Sequence, residues 1–84
     1  MRFFVYILRS QKDGHLYIGM THDLNTRVKA HNSGKVRSTK GRRPLTLVYQ
    51  EAYEHKSEAL KRERFLKSGQ GRAFLKDQLS HKEG

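Results

Sequence analysis

Residues 3–8 read Phe3-Phe4-Val5-Tyr6-Ile7-Leu8 and would be apolar on both faces of a β-strand. A strand of this kind suits the middle of a sheet that is covered on both sides. Lys12-Asp13-Gly14 predicts a turn, and residues 15–20 predict a second strand that returns antiparallel to the first. Glycine weakens a strand, so Gly19 indicates a bulge or a place where another group approaches the backbone closely.

The length of this turn decides which side chains face each other across the hairpin. A tight two-residue turn would place Tyr17 opposite Ser10. A longer loop over about residues 9–14 would place Tyr17 opposite Tyr6, and only that register brings the two phenols together directly. The residues themselves leave both registers open.

The rest of the chain predicts three helices and a third strand. Thr21 or Asp23 can cap a first helix that runs to about Asn32 and ends at Gly34. The further predicted elements are a strand over residues 45–53, a helix capped by Ser57 that runs to about Lys67, and a last helix over residues 72–80.

The side chains of the third strand are expected to divide between the two faces of the sheet. Its alternation predicts Leu45, Leu47 and Tyr49 on one face and Val48 and Ala52 on the other. The element order ββαβαα predicts an α+β fold, a three-stranded antiparallel sheet flanked by helices, as a single domain over residues 1–84.

The chain is strongly basic, with a net charge of +10 from eighteen Lys and Arg against eight Asp and Glu. Such a field attracts polyanions, so nucleic acid is the expected partner. No apolar run approaches the roughly 20 residues that span a bilayer, and no membrane partner is expected. The absence of cysteine excludes disulfides, thiolate zinc sites and a cysteine nucleophile, and it agrees with a cytoplasmic location.

A basic segment, residues 35–43, precedes the only proline of the chain. We expect this segment to follow a nucleic-acid strand through salt-dependent contacts; the alternative is a solvated surface loop. Its cationic residues are Lys35, Arg37, Lys40, Arg42 and Arg43.

The first helix carries an arginine and a histidine on its apolar face. With about 100° per residue, Arg27 and His31 share the face of Leu24 and Val28. Arg27 could extend its charge to water from the core margin and His31 could be an ordinary core-edge histidine.

Glu63 lies inside the apolar arc of the second predicted helix, about 40° from Ala59. A carboxylate there must be paired, protonated or bound to a cation. Lys67, one turn on, is the ordinary partner. No other acid is evidently paired with Glu63, which argues against a two-metal cluster and leaves room for one hydrated Mg²⁺.

Several enzyme classes lack their motifs in this chain. It has no G-x-x-x-x-G-K-[ST] loop, no H-E-x-x-H helix and no G-x-S-x-G turn. Gly69-Gln70-Gly71 lacks the preceding strand and the third glycine of a dinucleotide site. Nucleotide-binding P-loop proteins, zinc proteases and serine hydrolases are therefore not indicated.

Taken in order, these segments resemble the GIY-YIG nuclease superfamily over about residues 4–75. Residues 5–7 stand where the family has its first tripeptide, with Val5 in place of glycine, and Tyr17-Ile18-Gly19 is the second tripeptide intact. Residues 58–67 resemble the glutamate helix of the family. The Asn32-x-Gly34 pattern is similar to the small stand-alone, single-domain bacterial members (UPF0213-like).

The resemblance implies roles for individual residues of a metal-dependent endonuclease. Glu63 would bind Mg²⁺ or Mn²⁺, and Arg27 would clamp a phosphate oxygen. Tyr6 or Tyr17 would take the proton of the attacking water, with Tyr6 favoured, and His31 would accept or relay it. Arg27 and the metal would lower the phenol pKa. Two more implications concern geometry: Gly19 would let substrate approach the backbone, and the hairpin would need its longer loop.

The chain departs from the family pattern at Met20, where some members place a lysine. Lys29 or Lys40 would then have to supply any role of that lysine. We expect DNA to be favoured over RNA with low sequence specificity, repair as a candidate process, and a monomer or weak dimer. The first alternative is a catalytically inactive basic nucleic-acid-binding module; another is a subunit that binds an acidic protein. Binding alone does not require Glu63.

Overall fold

The computed structural model describes the backbone of residues 1–83 and the side chains of residues 1–80, so Gly84 of the predicted domain lies outside the described residues. The elements follow the predicted order ββαβαα, with a short 3₁₀ turn before the third strand. In chain order they are β1 (Phe3–Ser10), β2 (Leu16–Thr21), α1 (Leu24–Asn32), the 3₁₀ turn (Lys40–Arg42), β3 (Leu45–Tyr53), α2 (Lys56–Lys67) and α3 (Gly69–Glu83).

The sheet has the order β2-β1-β3, and both pairs are antiparallel. The central strand β1 is therefore covered on both sides, and each residue from Val5 to Leu8 is at most 1% exposed. This confirms the predicted α+β class and explains why the first apolar run has no polar face.

The hairpin register lies between the two predicted ones. Tyr6 pairs with Gly19 and Leu8 pairs with Tyr17, so neither the two-residue turn nor the six-residue loop is formed. Ser10 is the physical reason, because its backbone N–H donates to His15 O at 2.9 Å and its side chain accepts from two loop amides. The result is a four-residue loop, residues 11–14.

The two faces of the sheet hold separate apolar clusters. Tyr6, Leu8 and Leu45 form one cluster beneath α1. Val5 and Ile7 point the other way and pack with residues of α2 and α3: Ala59, Leu66 and Leu75. Alternation along β1 thus assigns Tyr6 to the α1 face and its two neighbours to the α2 face.

The predicted faces of β3 need a correction. Leu47 and Leu45 pack in the cluster under α1, whereas Tyr49 packs in the opposite cluster. The pairing with β1 shifts between Ile7 and Leu8, where Val48 is the extra residue of a β-bulge. A bulge changes the face to which the following side chains point, and simple alternation could not show it.

A polar network that the sequence analysis did not predict joins β3 to α2. Arg62 donates to both carboxylate oxygens of Glu51, at 2.9 and 3.1 Å, and Tyr49 and Tyr53 donate to the same carboxylate. The Arg62 guanidinium also lies 4.8 Å from the centre of the Phe74 ring. This network holds α2 at a defined angle on the sheet.

The helices begin earlier than predicted at two places. α2 starts at Lys56 after His55 rather than after a capping Ser57. α3 starts at Gly69 rather than Arg72, because the Ser68 hydroxyl accepts from the amide of Gly71 at 3.2 Å and caps it. None of the helices in the described part of the chain is long and apolar enough to cross a membrane.

Candidate active site

Tyr6 lies at the centre of a hydrogen-bonded chain on the α1 face of the sheet. Its hydroxyl lies 2.9 Å from His31 Nε2 and accepts from Arg27 Nε at 3.4 Å. Both partners come from α1, four residues apart, so they stand one turn apart on the same helix face. Two distant segments therefore meet at one phenol that is 1% exposed.

The chain continues beyond His31 to a residue that the sequence analysis did not identify. His31 Nδ1 lies 2.7 Å from Thr39 Oγ1, and both residues have no exposed surface. The Thr39 hydroxyl donates to Val36 O at 3.4 Å. Thr39 sits within a loop, where helical or strand periodicity gives no signal for a buried position.

The observed register places Tyr17 beside this chain rather than opposite Tyr6. The two tyrosine rings lie 6.2 Å apart between centres, and the Tyr17 ring lies 4.8 Å from the His31 ring. Both tyrosines point to the same face because they occupy diagonal positions across β1 and β2. The intermediate register therefore also gathers the two phenols.

Gly19 lies directly opposite Tyr6, and the space beside it is filled. A Cβ atom there would stand 2.5 Å from the Tyr6 hydroxyl and 3.0 Å from the Tyr17 ring. The close approach predicted for this glycine is thus made by the phenol of Tyr6. Substrate contact at Gly19 is not needed to explain it.

The first helix is held in place at both ends. Asp23 is the N-cap and accepts from the amide of Thr26 at 3.2 Å. At the other end, the Asn32 side chain both donates to and accepts from the backbone of Leu45, at 2.9 and 2.7 Å. Gly34 follows with a φ of 83°, the left-handed conformation that commonly ends a helix. These contacts fix where Arg27 and His31 stand.

Burial shifts both titratable groups of the chain toward their neutral forms. Burial raises the pKa of the Tyr6 phenol, and the Arg27 hydrogen bond only partly opposes this. Burial, and then the charge of Arg27, lowers the pKa of His31. Arg27 therefore lowers the phenol pKa as expected, but burial outweighs it. A neutral His31 can, however, accept the proton of a neutral Tyr6.

Two surface depressions open beside these residues. One, of about 240 Å³, is lined by Arg27 together with the basic side chains of Lys56 and His22. The other, of about 160 Å³, is lined by Tyr17 and Ser38 among others. The depression at Arg27 is positively charged and open to solvent, which suits the approach of a phosphate group.

Glu63 lies on α2 and is paired with Lys67. It belongs to α2, which packs on the opposite face of the sheet from Tyr6. Its carboxylate accepts from Lys67 Nζ at 2.9 Å, which is the ordinary i,i+4 pair considered above. Among the described residues, no hydrogen bond or ion pair joins Glu63 to the group formed by Tyr6, Tyr17, Arg27 and His31.

The residues present fit only one kind of metal site. The described residues contain no group of three or more His, Asp, Glu or Cys side chains that could hold an ion. The Glu63 side chain is 19% exposed and offers a single carboxylate. Mg²⁺ usually keeps several waters and binds through one or two carboxylates plus substrate phosphates. One accessible carboxylate therefore fits a largely hydrated Mg²⁺ and not a protein-enclosed ion.

The basic segment is divided between internal contacts and solvent. Arg42 pairs with Asp13 of the hairpin loop at 2.7 Å, and Arg43 donates to Lys40 O at 2.9 Å. The remaining side chains of the predicted nucleic-acid-binding set, Lys35, Arg37 and Lys40, are exposed. Lys29, the other candidate for the missing lysine role, is exposed on α1.

Known proteins share both the sequence and the fold. The family model of the GIY-YIG catalytic domain matches residues 2–76. UPF0213 proteins from Staphylococcus aureus strains Mu3 and N315 are each 56% identical over 66 residues, which cover 77% of this chain and 79% of theirs. The solution NMR structure of a UPF0213 protein from Bacillus halodurans is similar with a TM-score of 0.58 and 38% identity, covering 93% of this chain and 85% of that one. The chain therefore belongs to the GIY-YIG family of nuclease catalytic domains.

Proposed function

We propose that this protein is a metal-dependent endonuclease that hydrolyses phosphodiester bonds, in DNA more readily than in RNA. The hydrogen-bonded chain of Arg27, Tyr6 and His31 carries the proposal. It combines a half-buried cation with a buried phenol and a buried neutral imidazole. A packing role alone would not require three polar groups there, because burying them is costly unless each is bonded.

These residues suit the proton transfers of hydrolysis. A water would attack phosphorus while its proton passes to the Tyr6 oxygen and the proton of Tyr6 passes to His31 Nε2. The bond from phosphorus to the leaving oxygen then breaks, and that oxygen takes a proton from solvent. Tyr6 need not be ionised beforehand, because His31 is neutral and already hydrogen-bonded to it.

Arg27 would stabilise the charge that develops on the phosphate. Its planar guanidinium can hold two phosphate oxygens, and its side chain lines the basic depression. Tyr6 is 1% exposed, so water reaches its hydroxyl only when a neighbouring side chain moves. Tyr17 is more exposed and is the competing base.

Glu63 would hold Mg²⁺ or Mn²⁺, and it belongs to the helix whose first residue, Lys56, lines the depression at Arg27. When bound, the ion supplies positive charge to the scissile phosphate and to the leaving oxygen. Lys67 now neutralises this carboxylate, so an ion would have to compete with that lysine. We expect metal binding to be weak without nucleic acid for this reason.

The charge of the protein supports a substrate that is read mainly through its backbone. The exposed Lys35, Arg37 and Lys40 would contact phosphates, and phosphate contacts position a protein without reading bases. We therefore propose low sequence specificity. A single site of this kind cuts one strand, so a monomer would nick DNA, whereas a weak dimer could cut both strands.

One observation favours a second candidate function, an inactive nucleic-acid-binding module. The Glu63–Lys67 pair satisfies the carboxylate without any metal. If that pair is the whole role of Glu63, the charge and the basic segment would serve binding alone.

Cleavage of labelled DNA and RNA distinguishes these functions. We would incubate the protein with single-stranded, duplex and branched DNA and with RNA, each with Mg²⁺ or Mn²⁺. Cleavage should require metal and fall by about 10²- to 10⁴-fold in Tyr6→Phe, and it should vanish in Glu63→Gln while binding is retained. Preferential cutting of branched DNA would support a role in repair.

Matched variants make the test specific. Glu58→Gln removes an exposed carboxylate from the same helix and should cut like the wild type. A larger loss in Tyr17→Phe than in Tyr6→Phe would transfer the base role to Tyr17. Binding without cleavage of any substrate, or full activity in Glu63→Gln, would reject the nuclease proposal and leave the binding module.

A further inference from the structure

The buried side of the Tyr6–His31 chain ends at Thr39, a residue with no assigned role. Thr39 has no exposed surface although its neighbours in the basic segment, Ser38 and Lys40, are exposed. Its hydroxyl lies 2.7 Å from His31 Nδ1. A short bond between two fully buried polar groups constrains where each hydrogen lies.

The bond from the Thr39 hydroxyl to Val36 O favours one direction for the hydrogens along the chain. Arg27 is a donor only, so the Tyr6 oxygen accepts from it and the Tyr6 hydrogen must go elsewhere. His31 Nε2, at 2.9 Å, can accept it. Nε2 of the neutral ring is then unprotonated, and the ring hydrogen sits on Nδ1. The Nδ1 hydrogen points at Thr39 Oγ1, whose own hydrogen goes to Val36 O.

We infer that Thr39 is a positioning residue that fixes His31 in the tautomer with hydrogen on Nδ1 and an open acceptor at Nε2. Only this tautomer can take the proton of Tyr6. The other tautomer would donate from Nε2 to the Tyr6 oxygen, and the phenol proton would then have no acceptor on His31. The hydrogen bond made by one ring nitrogen of a histidine commonly decides which of the two nitrogens is protonated.

The backbone around Thr39 is arranged to hold this acceptor. Thr39 N donates to Val36 O at 3.1 Å and Arg42 N donates to Thr39 O at 2.9 Å, so the residue is bonded on both sides. The loop is also tied to the hairpin, because Ser10 Oγ donates to Arg42 O at 2.7 Å. Thr39 therefore stays beside His31 without support from a helix or a strand.

The tautomer rests on hydrogen bonds alone, whereas its effect on rate rests on the proposed function. In hydrolases that use a histidine base, losing the group that fixes the histidine tautomer lowers kcat by up to about 10⁴-fold. The Thr39 hydroxyl carries no negative charge that could stabilise a protonated histidine. We therefore expect a smaller loss for a variant without it, about 10- to 100-fold in kcat, with KM unchanged.

Nitrogen NMR of the histidine rings tests the tautomer without any substrate. Protein labelled with ¹⁵N-histidine at pH 7.5 should show His31 with Nδ1 protonated and Nε2 unprotonated. Thr39→Val keeps the shape but removes the hydroxyl, and it should shift His31 toward the Nε2-protonated form. Thr39→Ser keeps the hydroxyl and should retain the wild-type pattern.

Each result decides the inference. An Nε2-protonated His31 in the wild type, or an unchanged Nδ1-protonated ring in Thr39→Val, would overturn it. If Thr39→Val does not fold, the wild-type spectrum and Thr39→Ser still decide. A shifted tautomer with undiminished kcat would reject the positioning role. If the wild type cuts no substrate, the proposed function fails, and the NMR result stands separately.

Discussion

At the scale of single residues, the site depends on the atom that Gly19 lacks. The missing Cβ provides the room in which the Tyr6 hydroxyl meets Arg27 and His31. Its place opposite Tyr6 follows from the hairpin register. The second family tripeptide thus has a structural reason for its glycine that is independent of substrate.

Gly19→Ala should destabilise the protein by about 1–3 kcal/mol, because the new methyl group would overlap the Tyr6 phenol. Urea unfolding measures this change. Gly41→Ala is the control, since a Cβ there has nothing within 4 Å, and its stability should stay within about 0.5 kcal/mol of wild type. Equal losses in the two variants would contradict the close contact.

The stability of the protein should fall in mild acid through His31. Its pKa in the folded protein lies below the ordinary value of about 6.5, so the unfolded chain binds the proton more readily. The free energy of unfolding therefore falls as the pH drops below about 6.5, by at most about 1.4 kcal/mol per pH unit for this one proton. At higher pH this contribution is fully present.

Urea unfolding at pH 7.5 and 5.5 checks this dependence. His31→Gln should lose less stability between the two values than wild type loses. His22→Gln removes an exposed histidine and should behave like wild type. A wild-type slope that His31→Gln leaves unchanged would show that other groups cause it.

At the scale of elements, the α2–α3 corner depends on a second close approach. Gly71 in the first turn of α3 lies against the backbone of Phe65 and Leu66 at the end of α2. Only one residue, Ser68, separates the two helices. Such an abrupt corner requires their backbones to pass closely, and a side chain at residue 71 would separate them.

Gly71→Ala should therefore cost about 3 kcal/mol of unfolding free energy, since rigid backbone atoms cannot move away as a flexible side chain could. Gly69→Ala provides a matched control two residues earlier, with open space around its Cβ. It should be neutral or stabilise by up to about 1 kcal/mol through helix propensity. Thermal or urea unfolding of both variants tests the corner, and a neutral Gly71→Ala would refute it.

The Glu51–Arg62 network should couple β3 to α2 energetically. Arg62→Ala leaves the carboxylate of Glu51, whose side chain is 15% exposed, without its cation, and should cost about 2 kcal/mol. A double-mutant cycle with Glu51→Gln should give a coupling of about 1 kcal/mol or more. Lys67→Ala, at the more exposed pair with Glu63, should cost less than about 0.5 kcal/mol.

A negligible coupling in that cycle would mean that the ion pair contributes almost nothing to stability. Apolar packing alone would then orient α2. Tyr49 and Tyr53 also donate to the Glu51 carboxylate. Burial and this bond raise the pKa of Tyr53 to about 12, so its hydroxyl remains a donor at neutral pH.

At the scale of the whole molecule, helices cover both faces of the sheet. The α1 face holds the buried chain around Tyr6, and the other face holds the helix that carries Glu63. The net charge of +10 is spread over a body of 30 × 30 × 20 Å. Charges at this density attract a polyanion together, and salt weakens that attraction.

Binding of duplex DNA should weaken steeply as salt rises, because each neutralised phosphate contributes about 0.9 to the slope of log K against log salt concentration. Replacing Lys35, Arg37 and Lys40 together by Ser should lower that slope by about 1–3. Arg42→Ser should change the slope less, because Arg42 is already paired with Asp13. Fluorescence anisotropy over a salt series measures the slope for each protein. Identical slopes in the wild type and in all variants would mean that the basic segment does not contact DNA.

The local pattern of residues determined most of the elements and part of the site. Apolar runs predicted the three α-helices and the three strands of the described chain, and the helical period placed Arg27 and His31 on one face. These features depend on neighbours within one or two turns, which the sequence displays directly. The same reasoning identified Lys67 as a partner for Glu63, since the two are one turn apart.

Only the tertiary structure decided the features that depend on distant contacts. The hairpin register rests on Ser10 and its four-residue loop, and the bulge at Val48 decides which face Tyr49 occupies. Thr39 meets His31 because a loop without periodicity folds back over α1. Hydrogen bonds and packing between remote segments select each of these arrangements, and their energies do not appear in the pattern of any one segment.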